Sequence, residues 1–267
     1  MAGLFGFFNY EKPGKGVRKD EEQHSHFVQY FVIMGRKFWD MAKLNLLFLV
    51  FCLPVVTIGP ALAGFTYVLR NYNNGDPVFM FSDFWDNFKG NFKQSFVTGL
   101  LSLVLGFLLF TGTSFYFQNG AQNSLMYLPA GVMLVVSVVF LFANFYIPLM
   151  IVTLDLPLKG IIKNSVILAI LGIKANIFTL LGLLVFFILA WMFEILAMLF
   201  FIFVGVALMG LLIIHNSYPV LKKYAIDPYY AELNKEEAPD ETEDDGEEEN
   251  LFLDEFSASK ELPEDEK

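Results

Sequence analysis

The longest apolar run in this chain, Ile177 to Ile214, is 38 residues with a single charge, Glu194, inside it. As one helix it would extend about 57 Å at about 1.5 Å per residue, nearly twice the ~30 Å hydrocarbon core of a bilayer. It must therefore fold back on itself as two spans, with the bend expected at Phe193 to Leu196. Phe96 to Phe117 and Leu125 to Leu154 carry no charge, and each is long enough to cross once. Hydrophobic residues make up 55% of the 267, with 31 phenylalanines, above the roughly 45–50% of a soluble domain. The expected class is all-α: a polytopic helical membrane protein with four full transmembrane helices.

A further uncharged stretch, Leu44 to Leu69, is interrupted by Pro54, Gly59 and Pro60. Proline removes a helix donor and clashes with the preceding turn, so this stretch reads as two short helices around a break. The distribution of Lys and Arg decides its path, because short loops rich in these residues stay cytoplasmic. Lys37, Lys43, Arg70, Lys89, Lys93, Lys159, Lys163, Lys174, Lys222 and Lys223 flank the apolar runs, whereas Gln118 to Ser124 has no charge and the bend at Glu194 has no basic residue. Keeping every basic loop inside makes residues 44–69 a hairpin that enters and leaves on one side. A fifth span is the alternative, and it would place Arg70, Lys89 and Lys93 outside. The hairpin is the preferred reading; it puts both termini in the cytoplasm and the break at membrane depth, where irregular backbone needs protein or water around it.

Phe81, Phe84, Trp85, Phe88, Phe92 and Phe96 recur at spacings of three and four, with Asp83, Asp86 and Lys93 largely on other faces. Such a helix lies in the headgroup plane, with Phe84, Trp85 and Phe88 as interfacial anchors and Ser82 as N-cap. Phe27, Tyr30, Phe31, Met34 and Phe38 repeat the spacing, so two cytoplasmic interfacial helices are expected.

The net charge of −10 belongs to the tail. Residues 232–267 hold 17 acidic side chains against three lysines, and the rest of the chain holds 15 basic and 11 acidic ones. The chain thus divides into a basic cytoplasmic arm, 1–26, a helical membrane domain, 27–231, and an acidic tail, 232–267, too polar to bury a core. The basic residues do not line one soluble face, so no nucleic-acid partner is indicated.

Candidate chemistry is sparse. Glu194 is the one acid inside a long apolar run, a setting for an ion or proton role or for a cap at a solvated bend. His24 and His26 form a His-x-His pair, with His215 elsewhere, but no Cys or acid cluster completes a metal set. Cys52 has no basic partner in its helix and reads as a small apolar residue. Lys12 to Gly16 lacks the strand and the Lys-Ser/Thr pair of a phosphate loop. Asn45, Asn144 and Asn176 are intramembrane polar groups, suited to hydrogen-bonded packing or to a polar path. Ser95, Gly99, Ser102 and Gly106 form a small-residue face for close helix contact. No catalytic, cofactor or metal residues are assigned, and the expectation is that the chain is not an enzyme.

Asn9 to Val17, Gly35-Arg36-Lys37-Phe38-Trp39, Leu44-Asn45-Leu46-Leu47, Leu53 to Ala61, Tyr67-Val68-Leu69-Arg70, Ser82-Asp83-Phe84-Trp85 and Asn91-Phe92-Lys93-Gln94 together resemble the YesL-like family of small bacterial integral membrane proteins, a domain of unknown function. The resemblance covers residues 9–96; the later spans resemble the family in hydropathy only, and the acidic tail departs from its shorter members. Members often sit near genes for carbohydrate uptake and breakdown. The resemblance therefore implies an accessory or regulatory role beside sugar ABC transporter subunits, and it supplies no catalytic residues. A small transporter or channel with a path at the broken helix, 54–60, is the alternative.

Overall fold

The computed structural model describes residues 25–228, 230 and 231. The arm before residue 25, with Lys12 to Gly16 and His24, and the acidic tail from 232 lie outside the described residues. The chain divides into a unit Met1–Tyr224, which holds the helices discussed below, and a unit Ala225–Lys267. Among the described residues there are helices and no strands.

The helices are α1 (His26–Cys52), α2 (Ile58–Asn74), α3 (Met80–Gly90), α4 (Phe92–Gly120), α5 (Tyr127–Ile151), α6 (Leu158–Leu171), α7 (Ile173–Met192), α8 (Glu194–Phe200) and α9 (Val206–Leu221), with a π-helical turn at Phe201–Gly205 between the last two. Among the described residues, four stretches are long and apolar enough to cross a membrane: Phe92–Gly120, Ser124–Ile151, Ile173–Met192 and Glu194–Ile226. The chain is thus an all-α, multi-pass membrane protein. The expected bend falls at Phe193, whose φ of −128° and ψ of 57° end α7 one residue before Glu194. Glu194 opens α8 from an exposed position in its first turn, where a carboxylate suits the helix dipole.

The spans pair as antiparallel neighbours. A Cβ on Gly106 of α4 would stand 3.5 Å from the Phe140 ring of α5, and Thr113 Oγ1 lies 3.4 Å from Ser137 Oγ further along the same pair. Asn216 of α9 donates to Thr179 Oγ1 of α7 at 3.0 Å. Outward faces stay apolar, with Phe178 at 70% and Trp191 at 81% exposure, as the surface of a helix solvated by lipid should be.

The N-terminal third departs from the expectation of separate interfacial helices. Residues 27–38 and the first arm of the broken stretch are one helix, α1, kinked at Lys37 where φ is −110°. No proline separates them, and Met41, Ala42, Leu44 and Phe48 carry the buried stripe of Tyr30 and Ile33 onward past the kink. Tyr30 is turned inward and donates to the Leu208 carbonyl of α9 at 3.1 Å, so this segment packs on protein. The second half of α1 runs antiparallel to α2. Lys37 sits over the Tyr72 ring at 5.3 Å at one end, and Phe48 and Phe65 have ring centroids 4.4 Å apart towards the other. Residues 44–69 therefore form a hairpin that begins and ends on the same side.

Residues 155–176, whose Lys159, Lys163 and Lys174 count among the basic flanks of the apolar runs, contain α6. Ile161, Ser165, Leu168 and Ala169 are its buried positions, at helical spacing, while Lys159 precedes them and Lys163 falls between the first two. Arg70 donates from Nη1 to the Val152 carbonyl at 2.9 Å, and Gln94 donates to the Leu156 carbonyl at 2.7 Å. These bonds gather the basic segments at the end of the bundle opposite the turn at 121–126.

Candidate functional site

The hairpin turn is narrower than the break read from sequence. Pro54 is extended, with φ −78° and ψ 117°, and Val55–Thr57 make one 3-10 turn before α2 starts at Ile58. Gly59 and Pro60 thus lie in the first turn of α2, where proline's missing N–H has no helical partner to lose. Thr57 Oγ1 donates within the turn, with the carbonyls of Phe51 and Pro54 at 2.6 and 2.7 Å. The tip is not a packed internal feature: Leu53, Val55 and Val56 are 81, 67 and 63% exposed. The Thr57 bonds supply the backbone pairing that lipid does not, and the exposed aliphatic side chains present an apolar surface to it. Cys52 beside the turn is half-buried.

The α3 aromatic stripe is likewise turned inward. Phe84 is fully buried and Phe88 nearly so, and both rings lie 5.2 Å from Phe51 of α1. Trp85 is half-buried, stacked on Phe88 at 5.4 Å with Lys89 over its outer face. Anchoring to headgroups is therefore not what Phe84 and Phe88 do; they clamp α3 across the hairpin, and Gly64 of α2 lets the α3 backbone come close at Phe84. The exposed rings are Phe79 and Phe81. The cap is Phe79, whose N–H donates to Asp83 Oδ2 at 2.8 Å, and Ser82 sits inside the first turn.

The three asparagines do not share a path. Asn45, fully buried, donates to the carbonyls of Phe201 and Ile202 at 3.0 and 2.7 Å and accepts from Ala207 N–H at 2.9 Å. The widened π turn leaves these groups available, and one amide satisfies all three. Asn176, also fully buried, donates to the Ala169 carbonyl and accepts from Tyr146 Oη, both at 2.9 Å. Asn144 is half-buried and donates back to the Phe140 carbonyl of its own helix at 2.8 Å. It lines a cavity of about 200 Å³ between α2, α4 and α5, together with Gly59, Ser95 and Ser102. This cavity unites the N-terminal part of the small-residue face with the start of α2. A Cβ on Gly99 would lie 2.9 Å from the Gly59 Cα, so the two backbones touch there.

A second opening, missed from sequence, is a polar cleft of about 570 Å³ formed by α1, α2 and α9. His26, Gln29, Asn73, Asp76, Tyr218 and Lys222 line it. His26 and His215 stack with centroids 3.9 Å apart, and each ring nitrogen Nε2 faces the other residue's carbonyl, at 3.2 and 2.7 Å. His215 Nδ1 lies 2.7 Å from Asn73 Oδ1, which ties α2 into the same knot. The histidines act here as a structural tie. Among the described residues no group of three His, Cys, Asp or Glu side chains converges as a metal site.

Comparison with known proteins adds one match. Residues 41–113 fit the model of the family described as Protein of unknown function, DUF624. That segment runs from the second half of α1 through the hairpin and α3 into α4, overlapping most of the motifs from which the resemblance was read. No curated protein and no solved structure matches the chain.

Proposed function

From the premise that the chain is a multi-pass membrane protein carrying the DUF624 pattern over residues 41–113, we propose that it is a non-enzymatic accessory or regulatory component of an ABC-type carbohydrate uptake system. The observation that carries this reading is the polar cleft. It lies where α1, α2 and α9 are tied together by His26, His215 and Asn73, and it offers amide, carboxylate and ammonium groups on a rigid frame. Such a rim suits a polar loop of a neighbouring protein, since pairing charges at an interface fixes register and partner choice. The YesL-like resemblance supplies the partner class, a sugar transporter subunit. Isolation from native membranes in mild detergent should recover such a subunit, and the charge-reversing variant Asp76→Lys should release it. Recovery of no transporter subunit with the wild-type chain would count against the proposal.

The basic end of the bundle faces the cytoplasm in this reading, which the excess of Lys and Arg there supports. In a Cys52→Ala background, a cysteine at Asn74 should react with an impermeant thiol reagent only after the membrane is opened, and one at Asn119 should react from outside. Labelling of position 74 in intact cells would invert the proposed orientation.

A second reading, a small transporter or channel, is favoured by one observation: Gly59 beside the hairpin turn and Asn144 line a common cavity. Asn45 is fully engaged elsewhere and takes no part. Solute flux into liposomes containing the purified chain alone would support this reading over the first.

A further inference from the structure

The depth of the polar cleft between α1, α2 and α9 follows from the last span. At about 1.5 Å per residue, His215 and Lys222 stand about 31 and 42 Å along that span from Glu194 at the bend. The hydrocarbon core takes up ~30 Å of this length and the headgroup layer most of the rest, with a helix tilt of about 20°. The cleft therefore opens at headgroup level on the face of the membrane opposite the bend, where phospholipid headgroups are its nearest neighbours.

Part of its lining is spent on the protein itself. His215 is 4% exposed with both ring nitrogens engaged, and Asn73 uses Oδ1 on His215 and donates from Nδ2 to Asn74 Oδ1 at 3.3 Å. By contrast, the side chains of Gln29, Asp76, Tyr218 and Lys222 form no hydrogen bond or ion pair among the described residues. Asp76 and Lys222 are exposed, of opposite sign, and share a cleft of about 570 Å³ without pairing. An anion alone would meet Asp76 and a cation alone would meet Lys222, so the lining is complementary to a ligand that carries both charges.

A phosphoethanolamine headgroup is such a ligand. Its phosphate suits the Lys222 ammonium and the Gln29 amide, and its primary ammonium has N–H donors for the Asp76 carboxylate. A choline group keeps the positive charge but has no N–H to give. At ~30 Å³ per non-hydrogen atom, the share of a water in the liquid, the roughly eight atoms of the headgroup need about 240 Å³. The cleft holds that with room for the glycerol ester. On the flank of α1 beside His26 and Gln29, the exposed rings of Phe27 and Phe31, 5.0 Å apart, offer apolar surface to acyl chains.

We propose that this cleft is a binding site for a phospholipid with an ethanolamine headgroup, held between Asp76 and Lys222. The site does not rest on the partner reading above, because it is measured on the purified chain with no transporter subunit present; a partner loop entering the cleft would displace the lipid. The probes are short-chain phosphatidylethanolamine, phosphatidylcholine and phosphatidylglycerol, added to the full-length chain in detergent and counted as retained adducts by native mass spectrometry. Phosphatidylethanolamine should be retained about fivefold over each of the others, the scale of one exposed charge-assisted contact. Asp76→Asn should abolish the preference for ethanolamine over choline, and Lys222→Gln should weaken both by about fivefold, since both headgroups share the phosphate. Lys223→Gln is the control: that side chain lies over the Tyr224 ring, outside the cleft lining, and its loss should change nothing. Soluble phosphoethanolamine at equal concentration should not displace the lipid, whose chains add apolar burial. Equal retention of the three lipids, a preference for phosphatidylglycerol, an ethanolamine preference that survives Asp76→Asn, or displacement by the soluble headgroup would each overturn the proposal. Lipid retention without recovery of a transporter subunit keeps the site and removes the partner reading.

Discussion

Gly59→Val will unfold or reroute the α2–α4 crossing, lowering resistance to denaturation by about 3 kcal/mol or more, since a branched side chain would be forced into a close-packed contact. A Cβ at Gly59 would overlap the main-chain carbonyl of Ser95, and the opposing residue, Gly99, offers only its own Cα. Backbone cannot step aside as a flexible side-chain tip can. In lipid the cost is compounded, because helices associate there through close approach and not through exclusion of water. Gly35→Ala is the control. Nothing lies within 4 Å of a Cβ at that position in α1, so this change should be neutral or stabilise by about 0.5–1 kcal/mol through helix propensity alone. Equal effects of the two substitutions, measured by steric trapping or SDS titration of the reconstituted protein, would refute the crossing.

Asn45→Leu should be nearly as damaging, at about 3 kcal/mol. The amide makes three hydrogen bonds to the backbone of the π turn and the start of α9. Interhelical bonds in membranes contribute on average about 0.6 and at most about 1.7 kcal/mol each, and stranded backbone groups add to the loss. Leucine keeps the volume and removes every bond, so the effect isolates polarity from packing. Asn144→Leu removes one bond within its own helix and should cost less than about 1 kcal/mol. If the two asparagines prove equivalent, the staple at the π turn is not what holds α1 to the last span.

The contrast between these residues shows where the sequence was informative. Spans were legible because the solvent is hydrocarbon: Phe96 to Phe117 or Ile177 to Ile214 have one stable solution each, a helix or a helical pair, and Glu194 marked the bend within a residue. Proline at 54 marked the hairpin turn. What the periodicity of α3 does not encode is whether an aromatic stripe faces lipid or protein, since Phe84 against headgroups and Phe84 against Phe51 have the same spacing. Joining 27–38 to 44–52 as one helix failed for a related reason: the lysines and Trp39 at the junction resemble a membrane boundary, yet Met41 and Leu44 are fully buried beside it. The polar cleft was illegible because His26, Asn73 and His215 are brought together only by tertiary packing. A π turn leaves no composition signature at all; its sole trace is an asparagine 156 residues earlier in an otherwise apolar run.

That separation has a consequence for biogenesis. A ribosome releases Asn45 into the insertion machinery long before Phe201 and Ala207 exist, and the contact between His26 and His215 spans 189 positions. For most of translation the first helix therefore carries a bare amide and an uncommitted imidazole, and needs a temporary host, either an insertase or water held at the leaflet surface. Final closure is a late, post-elongation event in which the newest segment seals the oldest, so chains stalled before the last crossing should be preferred targets of membrane proteases.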